Sequence, residues 1–279
     1  MTSEQNPALG RLTRRALIGA AVATPIAVKL ARAQSTSASA SVELSNTKAL
    51  TFDIQGTVVD YYQPLLRVGE DLNQRKGLAI DWDKFSREWL AGTRDPIAAI
   101  VAGKSPWIPA GQVFRAALDK ALDKDDLSSK FSDAERVELL SVFGKMVPWP
   151  DTVEGVTRLK RCYTVATLSN AGMASVLAVV KNGGIPFDTV LTAELVHSYK
   201  PAAPAYRLAV DYLGFRPDQI MMVACHKWDL KAANGVGFRT AFLPRPLENG
   251  PGVEVSTTPE AYIDVMAADL VDLAAKLGA

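Results

Sequence analysis

Cysteine is scarce in this chain of 279 residues: Cys162 and Cys225 are the only two. No Cys/His spacing along the sequence suggests a zinc site. One disulfide could form in an oxidising compartment. Each cysteine also sits in or just after an apolar run, which predicts two buried thiols instead. An excess of either charge sign is missing too. The formal net charge is +1, which excludes the broad basic surface that nucleic-acid binding needs. The N-terminal apolar stretch, 16–28, is too short and too alanine-rich to span a membrane. There is no internal repeat. What remains is a composition 48% hydrophobic and 22% charged, enough for one large globular domain or a core with an insert.

The cationic residues that exist are unevenly placed. Residues 1–33 hold Arg11, Arg14, Arg15, Lys29 and Arg32 against the single acid Glu4, leaving the remainder mildly acidic. Thr13-Arg14-Arg15-Ala16-Leu17-Ile18 is a twin-arginine pattern, followed by the weak apolar run and by Ala31-Arg32-Ala33, an A-x-A cleavage site. In this order they predict a signal peptide over 1–33, a passenger of the twin-arginine export machinery, and a periplasmic or secreted product. The Ser/Ala-rich segment 34–46 reads as a disordered tether.

Beyond it, short apolar runs alternate with helical periods. Strands are expected at 49–52, 162–168, 220–224 and 240–243, and helices at 153–160, 174–182, 203–213 and 230–236. Alternation of this kind predicts an α/β fold with a Rossmann-like parallel sheet core and helices on both faces, assigned to 47–61 and 148–279. In residues 62–147 helical periods dominate, as at 83–91, 112–122 and 133–145, with three tryptophans, Trp82, Trp89 and Trp107, spread through them. They read as an inserted helical cap domain. Ligands of such sheets bind beyond the carboxyl ends of the strands, so the polar residues that end each strand are the first candidates for chemistry.

Four of these ends carry motifs: Phe52-Asp53-Ile54-Gln55-Gly56-Thr57, Leu168-Ser169-Asn170, Tyr199-Lys200-Pro201, and Val223-Ala224-Cys225-His226-Lys227-Trp228-Asp229. Singly, each fits a plainer role. Asp53 before Gly-Thr fits a turn, Ser169 and Asp229 fit helix N-caps, and Lys200 fits a solvated loop. In this order on alternating strands and helices, they resemble the haloacid dehalogenase superfamily over about 48–275. The resemblance implies Asp53 as nucleophile, Lys200 as the cation that keeps it ionised, and Asp229 as the group that positions or activates water. Ser169, Asn170 and Thr57 would support them, the first two by holding the anionic group of the substrate.

Departures from the superfamily's phosphatases narrow the reaction. Their second acid, two places after the nucleophile, is replaced here by Gln55, and an acid of their fourth motif by Cys225. A halide leaves without a proton donor or a metal, so these replacements favour carbon–halogen cleavage. The Trp228-Asp229 pair preceded by a polar residue is similar to type II (S)-2-haloacid dehalogenases. That similarity implies attack on C2 of a short 2-haloalkanoate, a hydrolysable aspartyl ester, no cofactor, and a dimer. Where those enzymes place an aromatic and an asparagine, this chain has Gln55 and His226. Their cap arginine falls at Leu90, with Arg87 and Arg94 nearby, and Arg94 is the candidate for the halide although it also fits a solvated helix end. His226 is a candidate for handling water, His197 reads as structural, and Trp228 as packing ahead of a substrate wall. A phosphatase and a non-catalytic relative are the alternatives.

Overall fold

The computed structural model describes residues 44–279. The signal peptide and most of the tether expected from the sequence lie outside these residues. The tether ends sooner than expected, because Leu44 already packs on the core and its carbonyl accepts the Thr47 N–H at 3.0 Å.

Five parallel strands form one sheet in the order β4-β1-β5-β6-β7. They are β1 (Ala49–Phe52), β4 (Thr164–Thr167), β5 (Ile220–Ala224), β6 (Arg239–Phe242) and β7 (Val265–Met266). Side chains alternate across the sheet, and both faces are covered. Leu50, Phe52, Val165, Met221 and Val223 point into one core, whereas Ala49, Ala166, Ile220, Met222 and Ala224 point into the other. Burial on both faces explains why these strands read as continuous apolar runs.

The order of the strands fixes where a site can form. β1 pairs with β4 on one side and with β5 on the other. The chain after β1 therefore winds first to one side and later to the opposite side. The carboxyl ends of β4, β1 and β5 lie next to each other at this reversal, where helices and loops diverge and leave a crevice.

After β1 the chain leaves through β2 (Val59–Asp60) and returns through β3 (Val147–Pro148), paired antiparallel. Between them are α1 (Tyr62–Lys76), α2 (Trp82–Ala91), α3 (Arg94–Val101), α4 (Ala110–Lys124) and α5 (Asp133–Ser141). Helices α1 and α3 are additional to those expected. The period expected over 133–145 breaks at Ser141 into a 3₁₀ turn, Val142–Gly144. Local chemistry sets two of the starts. Asp81 accepts the Lys84 N–H ahead of α2, and Ser132 and Glu135 form a reciprocal capping box at α5. Trp82 and Trp89 are almost wholly buried, and a side chain on Gly69 would collide with the Trp82 ring.

The remaining helices are α6 (Thr152–Lys160), α7 (Met173–Asn182), α8 (Ala203–Leu213), α9 (Lys227–Val236) and α10 (Leu270–Lys276). α10 and β7 were not legible in the sequence: each is short and without a complete period. Among the described residues both cysteines are free. Cys225 is buried as expected, but Cys162 is exposed, because it falls in the turn that joins α6 to β4 rather than in the strand.

The loop after β6 is locked to the turn after β1. Arg245 forms a two-pronged pair with Asp151, both contacts 2.8 Å, and its Nε donates to the Thr57 carbonyl at 2.8 Å. Burial works against the Asp151 carboxylate, but Arg245 and the Leu270 N–H outweigh it and hold its pKa below the ordinary value. The pair's stabilisation is complete above the unfolded pKa of about 4 and is lost as pH falls through the lower native value. Asp151→Ala is expected to cost about 3 kcal/mol near neutral pH, because it strands a buried guanidinium. Urea unfolding of variant and parent should show that difference shrinking below about pH 4.

Candidate active site

Asp53 follows directly on β1 and is 6% exposed. Its N–H donates to the Val223 carbonyl at 3.0 Å, so the strand ladder continues through it and fixes its backbone. Its two oxygens have different partners. Oδ1 accepts from Lys200 Nζ at 2.9 Å. Oδ2 accepts from the Thr57 hydroxyl at 2.9 Å and lies 3.2 Å from His226 Nδ1.

Lys200 reaches this point from the loop ahead of α8. It is 2% exposed and its ammonium is shared between Asp53 and Asp229 Oδ2, the latter at 2.5 Å. Asp229, in the first turn of α9, is fully buried. Its other oxygen accepts from the Tyr206 hydroxyl at 2.7 Å. It is therefore not a helix cap. Burial opposes ionisation of Asp53, but Lys200 and His226 outweigh it and hold its pKa well below the carboxylate range. At Asp229 burial prevails, aided by the like charge of Asp53 and opposed by Lys200, and the pKa rises. Burial would neutralise Lys200, but the two carboxylates outweigh it and raise its pKa.

His226 bridges outward from Asp53. Its Nε2 is 2.7 Å from Glu248 Oε1 and its ring stacks on Trp228, centroids 5.7 Å apart. Burial favours the neutral ring, but the Cys225 sulfur and the flanking carboxylates of Asp53 and Glu248 outweigh it and lift the pKa well above the usual value. Glu248 gets this close because Gly56 has no side chain. Gly56 has φ +82°, and a Cβ there would lie 2.3 Å from Glu248 Oε1. The glycine serves both the left-handed turn after Asp53 and the approach of the carboxylate.

The candidate residues do not all face the same way. A 440 Å³ cavity is lined by Tyr61, Tyr62, Arg87, Leu90, Arg94, His226, Trp228 and Glu248, among others. A smaller one, 160 Å³, shares Tyr61, Leu90, His226 and Glu248 and adds Gln55, Phe114 and Phe143. Trp228 is 48% exposed on the larger cavity, not packed in the core, because it projects from the first turn of α9. Arg94 lines this cavity from the start of α3 and is exposed. Arg87 is engaged by Asp83 and the Asn249 carbonyl. Asn170 turns away from the position expected of it: its amide accepts the Lys200 N–H at 2.6 Å and donates to the Lys200 carbonyl at 3.1 Å. Ser169 is buried and its hydroxyl accepts the Ala171 N–H at 3.1 Å. His197 stacks on Trp107 with centroids 4.5 Å apart, a packing contact.

Sequence reasoning missed Tyr206 and Glu248. Tyr206 sits on the apolar face of α8, where a tyrosine looks like core, and Glu248 lies in a Pro/Gly-rich loop with no period. Tyr206→Phe should leave a buried carboxylate oxygen of Asp229 without its donor and cost about 2–3 kcal/mol. Urea unfolding measures it; an unchanged midpoint would contradict the geometry.

The arrangement is a desolvated, ionised carboxylate aimed by a rigid turn and neutralised by a buried cation, which suits nucleophilic attack. The comparisons agree with it. The (S)-2-haloacid dehalogenase of Pseudomonas putida is 27% identical over 231 residues, covering 80% of this chain and 95% of that protein. The (S)-2-haloacid dehalogenase 4A of Burkholderia cepacia is 27% identical over 206 residues, covering 72% and 85%. The crystal structure of a defluorinating L-2-haloacid dehalogenase superposes with TM-score 0.80 at 33% identity, covering 84% of this chain and 96% of that one. That of another L-2-haloacid dehalogenase gives 0.78 at 32%, covering 83% and 99%. The family model for haloacid dehalogenase-like hydrolases matches residues 47–237, and the chain belongs to that family.

Proposed function

We propose that this protein hydrolyses short (S)-2-haloalkanoic acids to 2-hydroxy acids through an ester on Asp53. The observation that carries this reading is the buried Asp53–Lys200–Asp229 bridge beside a cavity that offers Gln55, and no carboxylate, two residues beyond the nucleophile. One Asp53 oxygen attacks C2 of the substrate, and the carbon–halogen bond breaks with its electron pair leaving on the halide. Water then adds to the Asp53 ester carbonyl, which releases the 2-hydroxy acid, regenerates the carboxylate and frees one proton overall. Halide needs no protonation to leave, so a glutamine at 55 does not hinder the first step.

Each neighbour has a role in this scheme. Lys200 keeps Asp53 ionised out of water, and Asp229 with Tyr206 fixes Lys200. Asn170 holds the backbone of Lys200, and Thr57 fixes Oδ2. This leaves attack to Oδ1, which has only one donor. His226 stands between Asp53 and the cavity and is placed to orient the attacking water, whereas Asp229 is sealed behind Lys200. Ser169 and nearby main-chain N–H groups are assigned to the substrate carboxylate, Arg94 to the outer cavity, and Trp228 to its wall. Helices α1 to α5, joined to the sheet through the β2–β3 ribbon, act as the cap. Chloride release from (S)-2-chloropropionate should be measurable in the parent without added metal, and Asp53→Asn should lower it roughly 10⁴-fold or more, as loss of a nucleophile does. Undiminished release in that variant would refute the scheme.

Residues 1–33 are assigned as a twin-arginine export signal, supported by the order of Arg14-Arg15, the apolar run and Ala31-Arg32-Ala33. Replacing Arg14 and Arg15 together by lysine should retain the protein in the cytoplasmic fraction of the producing cell. Unchanged export would remove this assignment.

A further inference from the structure

We propose that Cys225 Sγ, His226 Nε2 and Glu248 form a site for one thiophilic divalent cation of the zinc or cobalt type, at the inner wall of the cavity. Three different ligand groups converge there. Cys225 Sγ is 3.6 Å from His226 Nε2 and 3.5 Å from Glu248 Oε2, and Nε2 is 2.7 Å from Glu248 Oε1. All three ligand atoms lie within 4.8 Å of one another. A tetrahedral ion with bonds of about 2.3 Å to sulfur and about 2.0 Å to nitrogen and oxygen would space sulfur about 3.5 Å from the other two, and these about 3.3 Å apart. Both sulfur distances fit, the one to Glu248 through Oε2. The imidazole contact runs through the other carboxylate oxygen, Oε1, and is roughly half an ångström shorter than these bond lengths require, so Glu248 must shift to present one oxygen to both partners.

The surroundings suit such an ion. Asp53 Oδ2 lies against His226 Nδ1 and keeps a proton there, so an ion that binds at Nε2 displaces only the proton Nε2 otherwise shares with Glu248. This is the second-sphere carboxylate–histidine arrangement found behind metal-bound imidazoles. Glu248 is held by a loop that Arg245 pins to Asp151 and Thr57, and Gly56 leaves it room. A thiolate, a carboxylate and a neutral imidazole balance a dipositive ion, so the buried assembly carries no net charge. His226 and Glu248 both line the cavity, which opens a fourth position to water or to a small anion. Sulfur and imidazole select borderline metals over Mg²⁺, which prefers an all-oxygen octahedron. In the one-dimensional sequence the set is hidden, because adjacent Cys-His followed 22 residues later by a glutamate matches no zinc spacing.

The site can be tested without reference to turnover, so its failure and that of the dehalogenation scheme are distinguishable. The full-length protein, stripped with chelator and kept reduced, is titrated with Co²⁺ and followed by absorption. We expect one equivalent bound, with four-coordinate d–d bands and a thiolate-to-cobalt charge-transfer band. Both are retained in Cys162→Ser. Cys225→Ser loses the charge-transfer band, and Glu248→Gln binds at least about tenfold more weakly. Zn²⁺ displaces the cobalt and raises the melting temperature of the parent, but not of Cys225→Ser. Absence of the thiolate band, its persistence in Cys225→Ser, or no bound Co²⁺ at millimolar concentration would each overturn the assignment.

Discussion

One ammonium group between two buried carboxylates organises this molecule. Lys200 Nζ sits within 2.9 Å of Asp53 and 2.5 Å of Asp229, and all three side chains are nearly sealed from water. Burying such ions costs several kilocalories per mole each, and their attraction returns this only with good geometry and further hydrogen bonds. The structure supplies those bonds from Thr57, Tyr206 and the ring of His226. Asn170 clamps the lysine's main chain. Stability alone would be served as well by apolar residues. On the proposed scheme the charges have a use, since a carboxylate stripped of water and held ionised is a better nucleophile than a hydrated one.

The fold serves this bridge by topology. β1 lies between β4 and β5, so residues distant in sequence end at one edge of the sheet: Asp53 after β1, Ser169 after β4, and Cys225 and His226 after β5. The strand ladder runs on through Asp53, and Gly56 turns the chain immediately afterwards. The same turn carries Thr57, whose hydroxyl touches Asp53 and accepts the Cys225 N–H and whose carbonyl accepts from Arg245. A few residues therefore join Asp53, the neighbouring strand and the distal loop through one set of hydrogen bonds.

Much of this was legible in the sequence, for a physical reason. Strands buried on both faces are continuous apolar runs, and a polar residue that ends one stands out, so Asp53, Ser169 and Cys225 could be placed, whereas Asp229 was placed by the motif that follows the third of them. Lys200 had only its neighbouring proline and its order in the chain. The groups that complete the site escaped because they break no pattern. Tyr206 belongs to an apolar helix face until its hydroxyl meets Asp229. Glu248 and Arg245 sit in a loop whose shape depends on Asp151, about ninety residues earlier. Asn170 was expected to face the substrate, but its two bonds to the Lys200 main chain exist only once the loop before α8 lies beside β4. Cys162 opens an apolar run, yet the strand begins after it at Thr164.

The account stands on Asp53, held ionised by Lys200, as the atom donor that displaces halide. Its most direct test is a single turnover of excess enzyme with (S)-2-chloropropionate in H₂¹⁸O, followed by mass analysis of the peptide that contains residue 53. An ester opened by water at its carbonyl places the label in the Asp53 carboxylate and leaves the first molecule of product unlabelled. Label in the 2-hydroxy acid with an unlabelled peptide would show direct attack by water and contradict the account.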